Sequence, residues 1–87
     1  MRNTYKTILK QYFCNHVYHT RSDMDISQMK MAELLELTER AYSYLETGRT
    51  CCSETTLALY LTQVCDDPNS FLENLHDAFD TAKNPVA

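Results

Sequence analysis

The 87-residue chain holds a single glycine, two prolines and no low-complexity tract, which excludes collagen-like repeats and argues against a disordered chain. Gly48 stands alone and the prolines come late, at Pro68 and Pro85, so helix breakers are few and long helices are expected between them. Long hydrophobic runs are missing too. No apolar stretch approaches the roughly 20 residues of a membrane span, and Met1 to Lys10 lacks the basic segment followed by an apolar stretch of a secretory signal. The expectation is a cytoplasmic protein with no membrane partner. No segment alternates strictly between apolar and polar residues within bounding turns, so strands lack support. Catalytic signatures are absent as well: there is no nucleophile elbow, glycine-rich phosphate loop, HExxH or paired carboxylate arrangement. A short helical chain also leaves little volume for a pocket, so neither enzymatic activity, a small-molecule substrate nor a cofactor is expected.

What is present is an ordinary globular balance, 44% hydrophobic and 23% charged residues, with room for one core. We read residues 1–81 as a single domain and 82–87, which has little to bury, as a frayed tail. The net charge of −4 is uneven. Residues 1–49 hold seven of the eight Lys and Arg against six acids, whereas residues 50–87 hold only Lys83 against six acids.

Four cysteines, Cys14, Cys51, Cys52 and Cys65, sit in a chain with ample aliphatic residues for a core and are read as reduced thiols. No metal site is expected. Cys14 and His16 are two apart on a helix and point to opposite sides, only His16 and His19 share a face, and spacings such as C-x2-C are absent. A thiol sensor at Cys51 and Cys52 is the alternative reading, and small apolar residues in loop and core account for them more simply.

Apolar side chains at Tyr5, Ile8, Leu9, Tyr12, Phe13 and Val17 recur at spacings of three and four and predict a first helix from Thr4 to about Ser22. Ser27 can cap a short second helix carrying Met31, Ala32, Leu34 and Leu35 and running to Glu36. Thr38 can cap a third, with Ala41, Tyr42 and Leu45 inward and Gly48 where a left-handed residue is wanted. Ser53 can cap a fourth helix, with Leu57, Tyr60, Leu61 and Val64 in period up to Cys65. Asp66 or Asp67 before Pro68 starts a fifth, with Phe71, Leu72, Leu75 and Phe79 inward. The fold class is therefore all-α, with five helices.

The most specific stretch is Ser27 to Gly48. Two helices that cross steeply need a small side chain where they touch, supplied by Ala32, and apolar residues at 35, 37, 42 and 45 to fill the wedge between them. At these residues the chain resembles the Cro/CI-type helix-turn-helix family, also called the XRE or lambda-repressor-like DNA-binding domain. The resemblance runs from about Phe13 to Leu75 and is most specific at Gln28, Ala32, Leu37, Thr38, Leu45, Glu46 and Gly48. It implies a five-helix unit whose second and third helices form the helix-turn-helix, with Thr38 to Glu46 as the recognition helix in the DNA major groove.

By position, the resemblance implies base contacts from Thr38, Glu39, Arg40 and Tyr44. Arg40 has the chemistry to grip a guanine by two hydrogen bonds and Glu39 to accept from a cytosine amino group. It implies DNA-backbone contacts from Gln28 and Arg49, and a structural ion pair between Arg21 and Glu46. Glu36 stands where the family has a turn glycine, so it must either take a left-handed backbone or alter the turn. The loop from Thr50 to Glu54 and the acidic C-terminal half weaken the electrostatic attraction of a monomer for DNA. The function this implies is a sequence-specific transcription regulator bound to double-stranded DNA. A homodimer would read a palindromic site, and the surplus of Tyr5, Leu9, Tyr12 and Tyr18 on helix 1 offers it an interface, as does helix 5. The competing reading is a protein-interaction module, an antitoxin or accessory factor, that keeps the fold without strong DNA binding.

Overall fold

The computed structural model describes residues 2–83 and consists of five α-helices, with no strand among the described residues. They are α1 (Arg2–Met24), α2 (Gln28–Leu34), α3 (Glu39–Glu46), α4 (Glu54–Leu59) and α5 (Pro68–Lys83), and α4 continues into a π-helical turn at Tyr60–Val64. No helix among the described residues is long and apolar enough to cross a membrane.

The helix starts follow from short polar side chains that accept otherwise orphaned amide protons. Ser27 Oγ accepts from the amide of Lys30 (3.1 Å) and Thr38 Oγ1 from that of Ala41 (3.1 Å). Ser53 Oγ accepts from the amide of Thr56 (3.2 Å) and Asp67 Oδ1 from that of Ser70 (3.0 Å). Each cap is the residue the sequence marks, with Asp67 rather than Asp66 serving α5.

The first three helices also stop in the same way. In each, a residue of positive φ is followed by one whose amide reaches back five residues: Ile26 to the Arg21 carbonyl (3.4 Å), Leu37 to that of Ala32 (2.8 Å) and Arg49 to that of Tyr44 (2.9 Å). The left-handed residues are Asp25 (φ 56°), Glu36 (φ 55°) and Gly48 (φ 76°). Only Gly48 adopts this conformation without the steric penalty of a Cβ. At the other two stops the following residue, Ile26 or Leu37, is a half-buried apolar side chain packed on the core, and that packing offsets the backbone cost. Glu36 thus takes the left-handed alternative, and α1 runs two residues further at each end than its apolar period predicts.

The core is assembled from Phe13 and Val17 of α1, Met31, Ala32 and Leu35 of α2 and its cap, Tyr42 and Leu45 of α3, Tyr60 and Val64 of the π turn, and Phe71 and Leu75 of α5, whereas Leu72, expected inward, is exposed. Ala32 is buried between the two short helices, where the small side chain lets them approach. A continuous fourth α-helix to Cys65 is not what forms. The Cys65 amide donates to the Tyr60 carbonyl five residues back (2.8 Å), and the wider turn keeps Tyr60 and Val64 buried while Leu57 and Leu61 remain half-buried. Tyr60 stacks edge-on against Phe13 and Phe71, with ring centroids 5.2 and 5.9 Å away, so the departure from α geometry is held by aromatic packing.

Most of the apolar surplus of α1 is used inside the fold. Tyr5 packs on Phe79 of α5 (5.0 Å), Leu9 lies against the core, and Tyr12 packs on Phe71 (4.9 Å) while its hydroxyl donates to the Phe71 carbonyl (2.9 Å). Of the four residues named as interface candidates, only Tyr18 is exposed, at 47%. Helix α5 continues through Ala82 to Lys83, two residues past the expected boundary, and the rest of the tail lies outside the described residues.

Candidate functional site

Helix α3 is amphipathic by construction. Tyr42, Leu45 and the carboxylate-bearing Glu46 face inward, Arg40 lies exposed on the opposite side, and the N-cap Thr38 and first-turn Glu39 are exposed at the N-terminal end. What fixes its orientation is the ion pair at its C-terminal end. Arg21 of α1 donates from Nε to Glu46 Oε2 (2.7 Å) and from Nη2 to Glu46 Oε1 (2.8 Å), a two-pronged geometry suited to a planar guanidinium. The remaining Nη1 donates to the Ile26 carbonyl (2.9 Å), and Gln28 Nε2 of α2 donates to Glu46 Oε1 (3.2 Å). One carboxylate therefore ties α1 and α2 to α3, and its partner Arg21 also holds the α1–α2 loop.

Glu46 is 9% exposed. Burial alone would raise its pKa, but the hydrogen bonds from Arg21 and Gln28 and the Arg21 charge outweigh it, so the carboxyl is held below the usual carboxylate range. Tyr42 lies beneath this cluster. Its hydroxyl is buried without a hydrogen-bond partner, and burial, reinforced by the nearby Glu46 carboxylate, pushes the phenol far above its ordinary value. Burial likewise raises the thiol of Cys14, whose Sγ donates to the Glu46 carbonyl (2.8 Å).

The residues singled out as base readers are brought together unequally. Thr38 is exposed, but its hydroxyl already accepts the cap hydrogen bond. Glu39 and Arg40 project into solvent. Tyr44 is half-buried, and the Arg49 guanidinium lies over its ring, 4.6 Å from the centroid. Arg49 and Tyr44 thus act as one stacked unit at the end of α3. Gln28 engages Glu46 through its amide nitrogen, so its first role is in the ion-pair cluster.

Two residues that the sequence reading passed over, Ser43 and Thr47, follow Glu39 at successive intervals of four along α3. Helical spacing from Glu39 was the signal for both. Thr47 Oγ1 donates to the Ser43 carbonyl (2.8 Å), so its hydroxyl supports the end of the helix.

Beside α3 an open groove of about 700 Å³ runs between α1 and the α3–α4 loop, lined in part by Lys6, Lys10, Arg49 and Glu54. Cys51 and Cys52 lie on its wall. Burial, with Cys51 adding to it, pushes the Cys52 thiol up to about 12, which keeps it protonated and poorly nucleophilic. On α1, Cys14 turns to the Glu46 carbonyl while His16 Nδ1 meets the Tyr60 hydroxyl at 2.6 Å, so the two side chains address different elements.

Against protein-family models, curated proteins and solved structures, the chain has no match.

Proposed function

We propose that this chain is a sequence-specific, double-stranded-DNA-binding transcription regulator that reads bases with the outer face of α3. The observation that carries the reading is the division of α3: its apolar residues are buried, its C-terminal end is clamped by Arg21, Arg40 stands exposed one turn before the Tyr44–Arg49 stack, and Glu39 is exposed at the helix start. A helix with its side chains is about 10–12 Å across, matching the width of the major groove.

In that placement Arg40 donates two hydrogen bonds to a guanine and Glu39 accepts from a cytosine amino group, with Thr38 and Tyr44 adding polar and methyl contacts. Gln28 and Arg49 flank this face and supply contacts to the DNA backbone; stacking on Tyr44 leaves the Arg49 N–H edges open for a phosphate. A homodimer would place two such helices about 34 Å apart on a palindromic site.

Selection from a random-sequence duplex pool tests this reading. Recovery of one motif, with Arg40→Ala losing about 1–3 kcal/mol of discrimination at a single base position, supports it. Failure of the folded protein to enrich any motif counts against it. The second reading, a protein-interaction module of antitoxin or accessory type, draws support from Met24 and Met29, exposed on either side of the α1–α2 loop, and from the net charge of −4.

A further inference from the structure

We propose that the groove between the N-terminal half of α1 and the α3–α4 loop seats the sugar-phosphate backbone of duplex DNA, with Lys6 and Lys10 as added phosphate contacts beside Arg49; this rests on the DNA-binding reading of α3. Both lysines lie outside the Phe13 to Leu75 stretch that resembles the Cro/CI-type family, so the resemblance implies nothing about them.

Lys6, Lys10 and Cys14 are spaced by four and share one face of α1. That face is fixed against the end of α3 and the loop beyond it. Cys14 Sγ reaches the Glu46 carbonyl at 2.8 Å, and Cys51 Sγ lies 4.0 Å from the Lys6 carbonyl. Gly48 lies so close to α1 that an added Cβ would stand 3.5 Å from Cys14 Sγ and 3.8 Å from Gln11 Nε2. Both lysines therefore run alongside the loop that carries Arg49.

The groove gathers three cations and one carboxylate, Glu54, in a chain whose net charge is −4. None of the three cations has a carboxylate within ion-pair distance among the described residues. Glu54 instead stands in the first turn of α4, where the helix dipole favours a negative charge. Arg49 reaches from this groove onto Tyr44 of α3, so positive charge continues from the helix that reads bases to the groove beside it. The groove is open to solvent rather than enclosed and takes its cations from two separate elements, α1 and the α3–α4 loop, an arrangement suited to a polyanion lying across it. Such contacts fix position on the duplex and carry no sequence information.

The test compares wild type with the double variant Lys6→Gln/Lys10→Gln on a duplex bearing the selected motif and on random duplex, across a range of salt concentrations. The variant is expected to lose about tenfold in affinity on both duplexes alike, with the log–log salt slope shallower by about 2 and the preferred motif unchanged. An unchanged thermal midpoint establishes that the fold is retained, and the single variants provide the same reading if the double variant melts early. Unaltered affinity and slope in a variant whose motif selection still depends on Arg40 would overturn the groove while leaving the α3 reading intact. Wild type that binds no duplex overturns both. Chemical-shift changes at Lys6 and Lys10 with inorganic phosphate alone, without a change in DNA affinity, would make the groove a small-anion site and overturn the proposal.

Discussion

The two ends of α1 meet opposite surroundings. Toward its N-terminus, Lys6 and Lys10 line the broad groove shared with Arg49, whereas toward its C-terminus His16, Thr20 and Asp23 line a smaller cleft of about 260 Å³ together with Cys65, Asp66 and Asp67. The first is positively charged, and among the described residues its cations lack ion-pair partners. The second is acidic at its mouth and knotted at its base, where the Tyr60 hydroxyl meets His16 Nδ1 at 2.6 Å and Thr20 Oγ1 at 2.7 Å. Net charge per half-chain is thus a poor guide to the surface, because folding exchanges acids between the halves: Asp23 joins the acidic cleft, and Glu54 from the acidic half sits in the basic groove. The field a partner meets is set by which helix faces adjoin, not by the order of residues.

Arg21 stands in the last turn of α1 and turns toward α3, and its loss should have the largest effect. Arg21→Met leaves Glu46 buried without its counter-charge and is expected to cost about 3–5 kcal/mol in urea unfolding. A loss below about 1 kcal/mol would mean that the pair does not hold α3 in place. At the acidic end, Tyr60→Phe removes the hydroxyl that joins His16 to Thr20 and should cost about 1–3 kcal/mol while leaving any DNA affinity of the folded protein unchanged. If DNA affinity falls along with stability, the two ends are not independent.

The same two clusters separate by pH. Burial, with His19 adding to it, lowers the pKa of His16 from its ordinary 6.5, so the folded state disfavours the imidazolium. Stability is then fully present above pH 6.5 and declines as the pH falls through the lowered folded value, because the unfolded chain takes up the proton first. Glu46, also lowered, contributes stability present above its unfolded value of 4.5 and lost as the pH drops further through its folded value. Unfolding followed across pH should therefore show an onset near 6.5 that His16→Gln removes and a more acidic decline that it does not. A single decline that begins only below 4.5 would contradict the assignment to His16.

The smallest effects concern the helix stops. Gly48→Ala places a Cβ on a left-handed residue in space that admits one, so a loss of about 1 kcal/mol should come from the backbone alone. Glu36→Gly relieves the same penalty and should stabilise by up to about 1 kcal/mol. Chemical denaturation of the two variants checks the opposite signs.

Much of this fold was legible because its signals are local. Ser27, Thr38, Ser53 and Asp67 mark helix starts through one side chain and the amide three residues on, and Gly48 marks a stop through its own backbone. The stop at Asp25 was not legible, since a non-glycine residue becomes left-handed only when its neighbour Ile26 finds a place on the core. The π turn escaped for a related reason: it depends on Tyr60 meeting Phe13, His16 and Thr20, 40 or more residues away in the chain. Within the site, the Arg21–Glu46 pairing came from the family resemblance, because a separation of 25 residues carries no spacing rule. Lys6 and Lys10 were visible as lysines four apart, but nothing local set the α3–α4 loop beside them.

The most direct test of the central claim is binding of the purified protein to random-sequence duplex as salt is varied. Tight binding at low salt that weakens along a clear negative log–log slope is expected. A folded protein of known oligomeric state that shows no binding at low salt would contradict it.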